Sequence, residues 1–226
     1  MNCAWCDTEI ILSLSWANLI MMEREEILCS ECKLGLEWIN GNRCDRCSRN
    51  TTEKRCADCM WWEEKEKNES LQFNYSIFTY NPFMKEVIAK WKYRGDYYLG
   101  YIFENYLMEA FKENFSFLKK NGFVVPIPLS EERLLERGFN QAKMIADFLP
   151  IETKEILTRL HGEKQSKKSR MERIISKNPF FITESINKPV LLVDDIYTTG
   201  TTLRHAARLL KKHGCPNVYA LTLVRG

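Results

Sequence analysis

No apolar run in this chain of 226 residues reaches the roughly 18 to 20 that a membrane-spanning helix requires. The greasiest stretch near the N-terminus, Ile10 to Met22, is broken by Ser13, Ser15 and Asn18. It follows Asp7 and Glu9 instead of basic residues, which is not the pattern of a secretory signal. The expectation is a cytoplasmic protein with no membrane insertion. No Gly-x-x-x-x-Gly-Lys segment occurs, so an ATP motor built on a Walker loop is excluded. Histidine is scarce: His161 lies in a basic stretch, while His205 and His213 fall on one helix with no carboxylate at helical spacing. Those two read as surface or cap residues. Cys215 stands alone near the C-terminus and reads as a buried core residue.

The other eight cysteines lie before residue 60, as four Cys-x-x-Cys pairs: Cys3/Cys6, Cys29/Cys32, Cys44/Cys47 and Cys56/Cys59. In a reducing compartment disulfides are disfavoured, and two residues between thiols lets both bind one tetrahedral ion. Four pairs make two four-sulfur sites. Sequential pairing, the first four cysteines and then the last four, closes the smallest loops at the least entropic cost. Two structural Zn2+ ions are the expectation. The rival is an iron–sulfur cluster, whose cysteine runs are usually spaced differently.

Charge divides the chain in nearly the same place. Residues 1–69 hold 9 Lys+Arg against 14 Asp+Glu, a balance of −5, and residues 70–226 hold the other 24 against 16, a balance of +8. Two bodies follow, the larger suited to anionic ligands. Arg43, Arg46, Arg49, Lys54 and Arg55 could present a basic face on the second ribbon. The metal module is thus left between a structural or partner-docking role and direct nucleic-acid contact. The expected division is a double zinc-ribbon module over 1–62, a charged linker over 63–72 and a main domain over 73–226.

Along the main domain, "FNYSIFTY" has strand character. "NPFMKEVIAKWKY" places Phe83, Val87, Ile88 and Trp91 on one helical face, with Asn81 as cap and Pro82 at the first position. A second helix is expected over Tyr97 to Phe111. "GFVVPIPL" reads as a buried strand entering a proline-stiffened loop, and Ser130 caps a helix that breaks at Gly138. "KEILTRL", "PFFIT" and "KPVLLVDD" are strands, "TLRHAARLLKKHG" is a helix closed by Gly214, and "NVYALTLVRG" is a last strand. This alternation predicts an α/β body, a mostly parallel sheet with helices on both faces. Residues 159–177 carry seven Lys+Arg and two Asp+Glu with no apolar periodicity.

"VLLVDDIYTTGTT", residues 190 to 202, carries the chemistry. Its apolar start implies a central strand buried on both faces, so Asp194 and Asp195 emerge at the carboxyl end, where open α/β sheets bind ligands. Tyr197 to Thr201 is the expected turn and Thr202 the helix start, a place where unpaired N–H groups and the helix dipole favour an anion. Hydroxyls of Thr198, Thr199, Thr201 and Thr202 can donate to phosphate oxygens, and Gly200 lets the backbone approach closely. Two carboxylates beside a phosphate cradle repel a second phosphate but accept from neighbouring hydroxyls. A cis-diol beside a monophosphate is ribose 5-phosphate.

The same thirteen residues resemble the phosphoribosyl-diphosphate signature of type I phosphoribosyltransferases. "VVPIPLSEERLLERGFNQA", "WKYRGDYYLG", "EKQSKKSRMERI" and the paired ribbons resemble a narrower group, the late-competence ComF/ComFC family, over nearly the whole chain. The resemblance implies a zinc-bearing module before a phosphoribosyltransferase-like domain of type I fold. It also implies action on incoming single-stranded DNA in natural transformation, with the uptake machinery and a partner helicase. Carried onto this sequence, it makes Asp194 and Asp195 the ribose contacts, and Thr198, Thr199, Gly200, Thr201 and Thr202, after Tyr197, the phosphate cradle. It puts Pro128 and Leu129 at the diphosphate, with Arg133 and Arg137 as nearby cations. Lys167, Lys168, Arg170 and Arg173 would be a hood closing over the leaving diphosphate; the bland alternative is a solvated loop. Mg2+ would bridge diphosphate and ribose hydroxyls, helped by the carboxylates through water.

The position that holds an aspartate in purine-salvage relatives is Thr198, which takes no proton at neutral pH. Two function classes stay open: a DNA-handling protein that keeps a phosphoribosyl-diphosphate pocket, and an active phosphoribosyltransferase with an unknown acceptor. Trp91, Tyr93, Tyr97 and Tyr98 near Arg94 could form a stacking platform for bases. Core packing is the competing expectation for most of those rings.

Overall fold

A computed structural model describes residues 1–10, 27–66, 70–93, 96–159 and 178–226. Four parallel strands, β1 (Asn74–Thr79), β2 (Phe123–Pro126), β5 (Val190–Tyr197) and β6 (Val218–Arg225), pair in the order β1-β6-β5-β2. Each central strand is apolar toward both faces, as the continuous run in β5 demands. Leu191 and Val193 of β5 join Leu221 and Leu223 of β6 in one core, while Val190 and Leu192 join Val218 and Ala220 in the other. The period of two along a strand produces that division.

The chain before the sheet contains helix α1 (Ser30–Leu34) and helix α2 (Ala57–Lys65). Helix α3 (Pro82–Tyr93) starts as expected, with the amide of Met84 donating to Asn81 Oδ1 at 2.8 Å. The next helix differs from expectation: residues Tyr97–Phe103 wind as a 3-10 helix, and α4 covers Glu104–Asn114. Gly100 lets this 3-10 segment pack closely on the later helix that contains Met144, since a Cβ there would lie 2.4 Å from Met144 Sδ. Helix α5 (Glu131–Arg137) ends at Gly138, whose φ of 78° is left-handed, and α6 (Gln141–Asp147) follows. Ser130 occupies the cap position of α5 without a side-chain cap bond. Strands β3 (Leu157–Arg159) and β4 (Phe180–Ile182) form a separate antiparallel pair. Helix α7 (Thr201–Lys212) packs on β5, β6 and β4, whereas α6 packs on β5 and β2.

The cysteine-rich segment covers an edge that would otherwise be open. Strand β1 pairs with β6 on one side only, and an exposed strand edge invites association. The amides of Asn74 and Thr79 donate to the carbonyls of Arg46 and Glu37, and the Ile39 amide donates to the Ile77 carbonyl. Ser48 Oγ accepts from the Ser76 amide and donates to the Asn74 carbonyl, both at 3.0 Å. Helix α2 runs through Lys65 into the stretch expected to be linker, and Glu66 after it is anchored by Arg204 and Arg208 of α7. Among the described residues no helix is long and apolar enough to cross a membrane.

Candidate ligand and metal sites

Both cysteine tetrads assemble in the sequential pairing. The sulfurs of Cys3, Cys6, Cys29 and Cys32 lie within 4.8 Å of one another, and so do those of Cys44, Cys47, Cys56 and Cys59. Each tetrad joins a hairpin knuckle to a helix start. Asp7 and Ser48, the residues after the second cysteine of each hairpin, have φ of 63° and 58°. Their amides donate to the carbonyls of Cys3 and Cys44 at 3.0 Å, while Lys33 and Met60 repeat that bond at the helical knuckles. Four convergent thiols with this spacing fit one tetrahedral Zn2+ per tetrad. The cations considered for a basic face on the second ribbon each have a local partner. Arg49 pairs with Asp58, Lys54 with Asp45, and Arg46 and Arg55 both with Glu63. Arg43 donates to the Ile39 carbonyl and lies over the Tyr75 ring.

The acid pair sits at the carboxyl end of β5, and β5 is longer than expected. Pairing with β6 continues from Asp194 opposite Thr222 to Tyr197 opposite Arg225. The turn is therefore Thr198 to Gly200, and α7 opens at Thr201 instead of Thr202. Gly200 has φ of 76°, and a Cβ there would fall 2.1 Å from the Tyr197 hydroxyl oxygen, so only glycine fits. Thr199 and Thr201 share a hydroxyl–hydroxyl bond of 2.9 Å, and Thr198 is exposed. The Tyr197 side chain, expected in the cradle, is instead buried.

The loop carrying Pro128 and Leu129 lies alongside, because β2 pairs with β5 and the Ile127 amide donates to the Val193 carbonyl at 3.0 Å. Arg133 and Arg137 project one turn apart on α5. Arg137 donates to Gln141 Oε1 at 3.0 Å, and its guanidinium lies 5.5 Å from the Tyr93 ring centre. Lys168 and Arg173, with Lys167 and Arg170, lie outside the described residues.

Two cations at this site were not singled out from sequence. Lys92 of α3 forms an ion pair with Asp195, its side chain only 13% exposed. Burial lowers the Lys92 pKa to about 7, against the pull of the Asp194 carboxylate, and Arg137 and Arg133 depress it further. Burial raises Asp194 to about 6, opposed by Lys92, Arg159 and Arg137. Arg159 closes β3, and burial followed by Arg133 lowers its pKa. Four cations thus surround two acids, a balance that suits a ligand with several negative charges. Lys92 was hidden in an amphipathic pattern; its signal was a lysine directly after the buried Trp91.

His205 departs from the surface role expected of it. It is 3% exposed, and burial together with Arg208 lowers its pKa to about 4, so it is held neutral. His213 ends α7 as a cap, with Nδ1 2.9 Å from the Leu209 carbonyl oxygen. Cys215 is buried as expected. Of the four rings considered for stacking, only Trp91 is core; Tyr93, Tyr97 and Tyr98 are exposed. Tyr101 and Phe139 join Tyr97 and Tyr98 in a cluster, Tyr97 lying 6.1 Å from Tyr101 and 4.9 Å from Phe139 between ring centres. Arg94 lies outside the described residues.

Residues 134–226 match the family described as phosphoribosyl transferase domain. Competence protein ComFC of Bacillus subtilis (strain 168) is 37% identical over 236 residues, covering 99% of this chain and 94% of that protein. Competence protein ComFC of Streptococcus pneumoniae is 33% identical over 228 residues, covering 100% of both. Among solved structures, a hypoxanthine phosphoribosyltransferase from Staphylococcus aureus is similar over 54% of this chain and 64% of that one, at 23% identity and a TM-score of 0.31.

Proposed function

Because this chain belongs to the ComFC family of competence proteins, we propose that it handles incoming single-stranded DNA in natural transformation and carries a phosphoribosyl-diphosphate pocket. The observation that carries the pocket is the cation-ringed acid pair beside the Thr198–Thr202 turn, at the carboxyl end of a central parallel strand. In this reading the 5-phosphate takes the N–H groups and hydroxyls of Thr198 to Thr202, with Gly200 among them. The ribose hydroxyls donate to Asp194 and Asp195. The diphosphate meets Lys92, Arg133, Arg137 and Arg159 near Pro128 and Leu129, and Lys168 and Arg173 would close from the hood. Mg2+ arrives with the diphosphate, since Lys92 already faces Asp195 and this ion keeps much of its water shell.

For the nucleic acid, the exposed rings of Tyr93, Tyr97, Tyr98 and Tyr101 supply sequence-tolerant stacking surfaces. Tyr93 lies against Arg137, which puts that ring beside the pocket. We assign the cysteine module (1–62), joined through 63–72 to the phosphoribosyltransferase-like body (73–226), a structural role with two Zn2+, because its cations are paired internally. The protein acts in the cytoplasm, with the competence helicase and uptake machinery as partners. Thr198 cannot take a proton from an acceptor, which favours ligand binding over transfer to an unknown acceptor.

Calorimetry with phosphoribosyl diphosphate and Mg2+, repeated after adding a single-stranded oligonucleotide, tests the proposal. Binding of the small ligand is expected. Competition by DNA puts both anions in the pocket, and independent binding puts the DNA elsewhere. A wild-type protein that binds neither contradicts the proposal.

A further inference from the structure

The turn that would hold a phosphate is gripped from behind by the cysteine module. Arg225, the last residue of β6 and 7% exposed, donates from Nη1 to the carbonyls of Thr198 at 2.9 Å and Tyr197 at 3.2 Å. Its Nη2 donates to Cys47 Sγ at 3.7 Å. Trp62 of α2 donates from Nε1 to the Thr199 carbonyl at 2.9 Å. Three successive carbonyls are therefore held by donors from one side. In a trans peptide the N–H points opposite to the C=O, and no cis bond occurs among the described residues. The amides of Thr198, Thr199 and Gly200 are consequently turned away from the module, as an anion-binding turn requires.

The second cysteine centre controls both donors. Trp62 follows Cys59 by one position short of a helical turn, on a helix whose cap is Cys56. Its ring is packed by the guanidinium groups of Arg204 and Arg208 at 5.0 and 5.6 Å, and Glu66 pairs with both arginines. Helix α2 thus packs against α7 next to the turn, while Cys47 accepts from Arg225. The first centre makes different contacts: Trp5 packs on Phe83 at 5.3 Å, and Asn81 donates to the Gly35 carbonyl at 2.9 Å.

We propose that Trp62 and Arg225 are positioning residues that tie the second cysteine centre to the Thr198–Gly200 turn, so that metal held by Cys44, Cys47, Cys56 and Cys59 sets the turn's affinity for phosphate. Linkage makes the effect reciprocal: ligand in the turn tightens metal binding at the second centre and not at the first. The coupling to ligand rests on the phosphoribosyl-diphosphate reading; the tether itself does not.

The test uses the full, zinc-loaded chain. Amide order parameters of Thr198, Thr199 and Gly200 are measured by NMR in the wild type, in Cys59→Ser, in Cys6→Ser and in Trp62→Phe. Trp62→Phe keeps an aromatic ring and the metal ligands while removing the N–H with the pyrrole part of the indole, so it remains informative if Cys59→Ser fails to fold. Values of about 0.85 in the wild type and in Cys6→Ser, falling below about 0.6 in Cys59→Ser, are expected. Trp62→Phe should lower the Thr199 and Gly200 values at unchanged zinc content and weaken phosphoribosyl diphosphate about fivefold, the worth of one net hydrogen bond. Order parameters unchanged in Trp62→Phe would overturn the tether. Wild-type protein that binds no phosphoribosyl diphosphate would remove the pocket reading, while the order parameters still decide the tether.

Discussion

Affinity for phosphoribosyl diphosphate should pass through a maximum between about pH 6 and about pH 7, the two values to which burial drives Asp194 and Lys92. Asp194 must be ionised to accept from a ribose hydroxyl, and below about 6 it takes up a proton. Lys92 must be charged to attract phosphate oxygens, and above about 7 it loses its proton. Because the two groups interact, these are apparent values of the pair. Beyond either limit each pH unit should cost about tenfold, or about 1.4 kcal/mol. The second ionisation of a phosphate monoester near about pH 6 contributes to the acid side as well. The acid limb of the wild type should therefore approach a slope of about two protons, falling to about one in Asp194→Asn. Lys92→Gln should lower affinity throughout and abolish the alkaline limb. Calorimetric titrations from pH 5 to 8.5 measure both limbs. An acid limb equally steep in Asp194→Asn, or an alkaline limb that persists in Lys92→Gln, would refute the assignment.

Other consequences are open to direct measurement. The unfolded chain protonates His205 at its ordinary 6.5, whereas the folded chain does so only at about 4. Stability should therefore fall as pH drops through that window, by about 2 to 3 kcal/mol, and His205→Gln should lessen the loss in denaturant titrations. Gly200→Ala should destabilise by about 1 to 3 kcal/mol and abolish phosphate binding, because it puts a Cβ on the Tyr197 hydroxyl at left-handed φ. Oligonucleotide affinity should fall steeply with ionic strength. Tyr97→Ala with Tyr98→Ala should cost about 1 to 3 kcal/mol per stacked base, with the salt slope unchanged; no change in affinity would remove these rings from the DNA surface.

Local periodicity and spacing made much of the fold legible in sequence. Short loops alone selected the pairing of the cysteines, and Asn81, Pro82 and Gly138 marked helix ends through their own backbone chemistry. The continuous apolar run of β5 announced a central strand with Asp194 and Asp195 toward its carboxyl end. What was hidden depends on residues distant in sequence. Lys92 reads as the polar side of an amphipathic helix until α3 is laid across β5. His205 reads as exposed until β4 is packed on α7 and Asn178 is found donating to the His205 carbonyl. Trp62 and Arg225 carry no motif, and their roles arise only when the cysteine module covers the β1 edge. Strand β5 outran its expected end because β6 offers partners as far as Arg225.

Diffraction from crystals soaked with ribose 5-phosphate addresses the central claim most directly. The account predicts phosphate density against the Thr198 to Thr202 amides and hydroxyls, with the sugar hydroxyls at Asp194 and Asp195. Phosphate bound elsewhere, or a turn that stays empty at saturating ligand, would contradict it.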